Sequence, residues 1–298
     1  DLSGSKGRVM VEFVSANPTG PMHVGHGRGA AYGDTLANLF AATGYAVHRE
    51  YYINDAGRQV DVLTLSVWLR YLEAGGETFA FPKRGYPAGY INRTAETLRA
   101  QHGAAFHQPA ALVFEGLGPE PQLPEGADDK TKDSIKLAQE KFADGLIERA
   151  RTLLGAHYAT LTKAALADQL ATIRATLASF NVRFDQWYSE QSLVDSGFAS
   201  TAIQRLRDKG FVYEKDGARW FRSTTFGDEK DRVVIRENGQ RTYFASDIAY
   251  HLNKFERGYD RMINVWGADH HGYIPRVKGA LTALGLEAER LVVSLVQF

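Results

Sequence analysis

The stretch Asn17-Pro18-Thr19-Gly20-Pro21-Met22-His23-Val24-Gly25-His26 decides how the rest of this chain is read. It follows the apolar, β-branched run Val9 to Val14 and precedes a long helical periodicity, so it is the turn of a strand–turn–helix unit. Asn17-Pro18 and Gly20-Pro21 stop the strand, and the helix starts at about Gly25. A helix start offers unpaired backbone N–H groups and the positive end of its dipole, which suits phosphate. His23 and His26, three residues apart, share one face there, and Gly25 between them lets a flat base or a phosphate approach the backbone. Taken alone, His-x-Gly-His reads equally well as a solvated helix start; the turn and its setting favour a nucleotide site.

Working outward, Tyr32, Leu36, Leu39 and Phe40 form the apolar face expected of the first helix, with Gly44 as its C′ residue. Ala46 to Ile53 reads as a second strand. Asn54 or Asp55 is then expected to cap a helix whose stripe is Val60, Leu63, Val67 and Tyr71. Strand–helix–strand–helix at these lengths predicts an α/β fold, a doubly wound parallel (Rossmann-type) sheet. From about Gly75 the pattern turns irregular, with six prolines between residues 75 and 130. Helical stripes follow at Ile135, Phe142, Leu146 and Leu153, then at Leu166, Leu170, Ile173 and Leu177. Asp216-Gly217 and Asn238-Gly239 signal hairpins. Helix 243–255, strand 262–266 and a helix opened by Pro275 restore the α/β texture. The predicted organisation is residues 1–74 as the first half of a nucleotide-binding fold, 75–240 as an inserted subdomain of helices and β-hairpins, and 241–298 as the second half.

Composition narrows the function. The 298 residues carry 35 basic and 35 acidic side chains, so a nucleic-acid contact must come from a local patch rather than a global field. Zero cysteines exclude disulfides and thiolate zinc sites. No run approaches the roughly 20 apolar residues of a membrane span, and no export signal opens the chain, so a cytoplasmic protein without a membrane partner is expected. The chain begins at Asp1, and the apolar run Leu291 to Val296 reads as a strand cut short, which together suggest a piece of a longer protein. Gly27, Gly29 and Gly33 superficially suggest a dinucleotide fingerprint, but residues 17–22 intervene where that motif needs its glycines, so an oxidoreductase reading fails. The bases Lys130, Lys132, Lys136, Lys141, Arg149 and Arg151 are interleaved with acids and read as a solvated face. Asp269, His270 and His271 have no cysteine or further ligand nearby, so no metal site is expected.

Ala16 to His26 resembles the HIGH-type signature of class I aminoacyl-tRNA synthetases. Val11-Glu12-Phe13, Tyr52 to Gly57, Tyr243 to Asp247 and Trp266 to Tyr273 resemble the bacterial form of the arginyl branch. The matches span most of the chain in the expected order and are weakest between Ala104 and Lys163. The resemblance implies ATP-dependent activation of L-arginine to arginyl-adenylate and transfer to the 3′ end of tRNA(Arg). It places His23, Gly25 and His26 on the ATP phosphates as the catalytic group. It places Glu12, Tyr243 and Asp247 on the arginine side chain, and Ser15 and Asn17 on its α-amino end. Asp269 and His270 then lie near the adenosine or the amino acid. Mg²⁺ would come with ATP, without zinc, in a monomer. Carboxylates are the natural acceptors for a planar, five-donor guanidinium, and Tyr243 and Asp247 share a helix face by spacing. Singly, Glu12 reads as an edge-strand acid, and Tyr243 with Asp247 as an ordinary solvated face. Nothing resembles the KMSKS-type loop that family members carry after the last strand, which implies weak turnover. Two other readings stay open: a non-catalytic arginine- or nucleotide-binding module, and another HIGH-type nucleotidyltransferase.

Overall fold

The computed structural model describes residues 6–87 and 89–297. Its contacts divide the chain into two compact units: Asp1–Asn17, Met22–Asp55 and Ala175–Phe298 form one, Pro18–Pro21 and Ala56–Arg174 the other. In chain order the first unit begins with β1 (Arg8–Glu12), α1 (Val24–Ala42) and β2 (Ala46–Ile53). The second unit follows with α2 (Arg58–Glu73), α3 (Gly89–His102), α4 (Ala110–Val113) and α5 (Asp129–Leu154). The division falls inside α6 (His157–Ser179). The first unit resumes with β3 (Gln186–Ser189), α7 (Glu190–Asp195), α8 (Phe198–Asp208), β4 (Val212–Lys215), β5 (Ala218–Phe221) and β6 (Arg232–Ile235). It closes with α9 (Tyr243–Glu256), β7 (Arg261–Gly267), α10 (Ile274–Ala283) and β8 (Leu291–Val296).

The expected parallel sheet is present, in the order β3-β2-β1-β7-β8. Chain order reverses between β1 and β7, which is where such sheets open a crevice at their carboxyl ends. Glu12, the last residue of β1, stands opposite Asn264 of β7 across that point. A three-stranded antiparallel sheet, β4-β5-β6, lies in the same unit. Its first turn is Asp216-Gly217, both residues at positive φ, as a two-residue type I′ hairpin requires.

Three expectations differ from what is found. The predicted insertion over 75–240 contrasts with a second unit that ends at Arg174, because Gln186–Ser189 pairs with β2, and α7 and α8 share an apolar core with α9. A four-residue strand of mixed polarity leaves little trace in sequence. Neither Asn54 nor Asp55 caps α2, whose N-cap is Gly57 at φ 84°. Asp55 instead accepts from Ser189 Oγ (2.6 Å) and Gln191 N (2.9 Å), satisfying the start of α7. Finally, α1 turns its expected apolar face outward. Tyr32 and Leu39 are exposed, and the buried residues are Gly25, Ala30, Gly33 and Ala37.

The reason is close approach. A Cβ on Gly33 would sit 2.3 Å from Phe13 Cγ, so α1 lies against the end of β1 with no room for a methyl. In the second unit, α2 is buried nearly all round, and Trp68, Leu72, Ile91, Phe106, Leu146 and Leu161 form a separate core. Trp68 Nε1 donates to Phe106 O there at 2.8 Å. Three basic residues of α5 carry acidic partners, Lys132 with Asp129, Arg149 with Glu115 and Arg151 with Asp61. Gly33→Ala should lower stability by about 1–3 kcal/mol in urea denaturation, the usual cost of overpacking. Gly29→Ala adds its methyl to open space and should be neutral or gain up to about 1 kcal/mol from helix propensity. Equal effects of the two changes would show that α1 is not seated on Phe13.

Candidate active site

Chemistry-bearing residues of the first unit gather at the carboxyl end of β1. The chain leaves the strand through a strained turn, with Val14 at φ 67° and Ser15 at φ 42°. Ser15 N donates to Phe13 O at 3.0 Å, closing a γ-turn around a left-handed, β-branched Val14. The turn folds Ser15 back over the strand end. Its hydroxyl donates to Glu12 Oε1 (2.9 Å) and accepts from Tyr52 N (3.1 Å).

Glu12 is buried, and its other oxygen accepts from Lys254 Nζ at 2.5 Å. Lys254 has no solvent exposure, and each of its donor directions is met. Besides Glu12, it donates to Asn264 Oδ1 (2.7 Å) and lies 4.3 Å from the centre of the Tyr250 ring. Asn264 is oriented in turn by His251, whose Nε2 accepts from Asn264 Nδ2 (2.8 Å) while Nδ1 donates to Asp247 O (2.7 Å). Burial and the charge of Lys254 push the His251 pKa down to about 3, so the ring stays neutral and this tautomer is the one the bonds require.

A second ion pair lies nearby. Arg257 forks onto Glu50 (2.6 and 2.8 Å), which also accepts from Tyr250 Oη (2.6 Å). Burial opposes the Glu50 charge, but the bonds from Arg257 and His48 outweigh it and hold the pKa down to about 2.

Two further acids have no such cation. Glu190, at the start of α7, is buried; its Oε2 has no hydrogen-bond partner, and burial pushes its pKa up. Asp247, on α9, accepts from Tyr273 Oη. Burial raises its pKa to about 7 against that bond, with Glu190 and Glu12 adding like charge and Lys254 opposing. Tyr52 marks where the acids converge. Burial raises its phenol pKa first, then the charges of Glu190, Asp247, Glu12 and Asp55. Its buried hydroxyl lies beside Glu190, where it and Ser246 oppose the rise in the Glu190 pKa by hydrogen bonding. Among the described residues neither Glu190 nor Asp247 belongs to an ion pair.

His23 and His26 stack at the start of α1, ring centres 3.7 Å apart. Gly25 N donates to His23 Nδ1 (3.1 Å) and His23 N donates to His26 Nδ1 (3.2 Å), so the two imidazoles cap the helix reciprocally. Accepting at Nδ1 leaves Nε2 as the N–H of each neutral ring. Burial and the neighbouring His23 lower the His26 pKa, and the first turn of α1 contains no acid to offset its dipole.

The structure thus brings Glu12, Ser15 and Asp247 together with Lys254, His251, Asn264, Glu190, Tyr52 and Tyr273. Asn17 is exposed, its Oδ1 accepting from Asn54 Nδ2 (2.6 Å). Tyr243 is 54% exposed, and the tyrosine on the Asp247 carboxylate is Tyr273. Asp269 and His270 are exposed and contact each other at 3.0 Å, with His270 one ring away from the cluster across Trp266. Sequence reading missed Lys254 and Glu190. Asp247, His251 and Lys254 sit at i, i+4 and i+7 of one helix, a polar stripe on an otherwise buried element that could have flagged the lysine.

Lys254→Met should cost about 3–5 kcal/mol by leaving Glu12 buried and unpaired, and adding Glu12→Gln should restore most of it. Purely additive losses in that cycle would dissolve the pair. The two acids act on stability in opposite directions. Glu50 contributes above its ordinary 4.5 and loses that contribution as pH falls toward about 2. Asp247 holds a proton in the folded chain between pH 3.8 and about 7 that the unfolded chain has released, so its contribution falls as pH rises through that window. Asp247→Asn should therefore gain thermal stability over the unsubstituted chain between about pH 5 and 8. A pH-independent difference would contradict this.

The family described as "tRNA synthetases class I (R), catalytic domain" matches residues 2–76 and 147–297. The arginine–tRNA ligase of Thioalkalivibrio sulfidiphilus is 57% identical over 99% of this chain and 48% of its own length. That of Dechloromonas aromatica is 55% identical over 98% of this chain and 49% of its own. The chain spans about half the length of the curated relatives it matches. A crystal structure from Campylobacter jejuni, ascribed to an arginyl-tRNA synthetase, matches with TM-score 0.79 at 34% identity, over 100% of this chain and 56% of that one. The arginyl-tRNA synthetase of Thermus thermophilus, at 22% identity, shares the fold, with TM-score 0.62 over 98% of this chain and 48% of that one.

Proposed function

We propose, since this chain belongs to the class I (R) tRNA synthetase catalytic-domain family, that it is the part of an arginine–tRNA ligase that activates L-arginine with ATP. The observation that carries the reading is the convergence of Glu190 and Asp247 on Tyr52 with no cation to balance them, while Glu12 and Glu50 have Lys254 and Arg257. A seat with two carboxylates in excess suits a cation with several donors, as a guanidinium is. Glu12 borders the seat with both oxygens engaged, so Asp247 and Glu190 carry the charge recognition, with Tyr243 at its exposed side. Ser15 Oγ and Asn17 Oδ1 each retain acceptor capacity for the α-ammonium group.

In the reaction a carboxylate oxygen of arginine attacks the α-phosphorus of ATP, the bond to the β-phosphate oxygen breaks, and pyrophosphate leaves with the electron pair. Arginyl-adenylate remains, and a hydroxyl of the terminal adenosine of tRNA(Arg) displaces AMP from its carbonyl carbon. The Nε2–H groups of His23 and His26, in the field of the α1 N-terminus, donate to phosphate oxygens as charge shifts onto the leaving group. Asp269 is assigned to the adenosine side and His270 to the arginine side, next to Trp266. Among the described residues no three acidic or imidazole groups are placed to hold a cation. Magnesium would come with the ATP phosphates. The cytoplasm is the compartment this reading implies; among the described residues no helix is long and apolar enough to cross a membrane.

Calorimetry of residues 1–298 with arginine, citrulline and ATP tests the seat. Asp247→Asn should weaken arginine binding about thirtyfold or more, the usual loss when one partner of a buried charge pair is removed, and leave ATP affinity within about twofold. Equal losses for both ligands, or citrulline binding as tightly as arginine, would overturn the reading. Arginine-dependent pyrophosphate exchange by the full-length protein tests the chemistry.

A further inference from the structure

The carboxylate that carries most of the proposed recognition is fixed by one hydrogen bond. Among the described residues, Tyr273 Oη alone donates to the Asp247 side chain, and it does so at Oδ2. The Tyr273 ring is itself held on several sides. It ends the short helix Ala268–Tyr273 and meets Trp266 and Phe244, ring centres 6.0 Å away in each case. The Arg276 guanidinium lies 5.0 Å from its centre. Arg276 Nε donates to Asp228 Oδ2 (3.0 Å), and Arg232 forks onto the same carboxylate at 2.7 and 2.6 Å. Asp228 is held well below the usual carboxylate range by the Arg232 bonds first, against burial, with Arg276 adding to them. The loop between β5 and β6 is thereby fastened to α10, and through the Tyr273 ring to Asp247.

We infer that Tyr273 is a positioning residue for arginine recognition: its hydroxyl holds Oδ2 of Asp247 and leaves Oδ1 as the acceptor that the guanidinium meets. This rests on the arginine reading above. A carboxylate on a helix, with two rotatable bonds and two acids beside it, has reason to swing away or to take up a proton. The hydroxyl opposes both. Glu190 on α7 and Glu12 on β1 push Asp247 toward its protonated form, with Tyr52 on β2 between the acids. Lys254 on α9 pulls the other way, and Arg276 on α10 acts on Tyr273. The Tyr273 bond favours the ionised carboxylate, so its removal lets Asp247 keep a proton to higher pH.

The test is arginine affinity as a function of pH for residues 1–298 and the variant Tyr273→Phe, which keeps the ring and its neighbours. The variant should bind arginine about tenfold more weakly at pH 7, with the pH of half-maximal affinity raised by about one unit, and should recover toward the unsubstituted affinity at pH 9. ATP affinity should be unchanged. In an Asp247→Asn background the same substitution should have no effect. An unshifted pH profile in a chain that still prefers arginine to citrulline overturns this inference and leaves the arginine reading intact. So does an equal loss in the Asp247→Asn background, which would mark Tyr273 as structural support only. A chain that does not distinguish arginine from citrulline overturns both.

Discussion

One ammonium group, that of Lys254, sets the conditions for everything else at the end of β1. It is wholly buried, and Glu12, Asn264 and the Tyr250 ring take up its charge and its protons. Without it, Glu12 would be a third uncompensated carboxylate beside Glu190 and Asp247, in surroundings where burial already disfavours ionisation. With it, strands β1 and β7 are cross-linked at the point where the strand order reverses, and the neutral His251 locks the amide that completes the link.

The internal cations also define what is left over. Glu12 and Glu50 are spoken for by Lys254 and Arg257, two pairs formed within the fold. Glu190 and Asp247 lie around the buried Tyr52 hydroxyl and, among the described residues, have no such pair. Buried acids are normally paired with a cation, so two in one place outside any ion pair are informative where one would not be. The seat gathers two acids outside any ion pair among aromatic rings. The stacked imidazoles complement it, since their Nδ1 atoms are committed to the helix start and their outward nitrogens carry the protons.

Much of the architecture could be read from the chain because it follows local rules. Val9 to Val14 and Ala46 to Ile53 carry strand composition, Asp216-Gly217 is a hairpin signal, and Asn17 to Pro21 punctuates unmistakably. What escaped was set by contacts distant in sequence. Gln186–Ser189 is a strand because β2 offers an edge, and the apolar side of α1 faces out because Phe13 leaves room only for Gly33. At the site, Glu12 and Asp247 were legible from resemblance and chemistry. The lysine joining the first of them to β7, and the tyrosine holding the second, were not. Helical spacing pointed to Tyr243, but the hydroxyl that reaches Asp247 comes from a segment twenty-six residues later in the chain. Periodicity describes one helix at a time and carries no information about what a neighbouring turn brings over it.

The glycine seat of α1 has a mechanical corollary. Where two elements interlock through side chains, rotamer changes let them slip relative to one another. Here the spacing between strand and helix is limited by the buried Phe13 ring against bare backbone, a contact to which the helix brings no rotamer. The paired imidazoles therefore ride on a fixed mount. Elsewhere in the unit, the loop between β5 and β6 is held to α10 through guanidinium groups on Asp228, a contact built entirely of rotatable side chains.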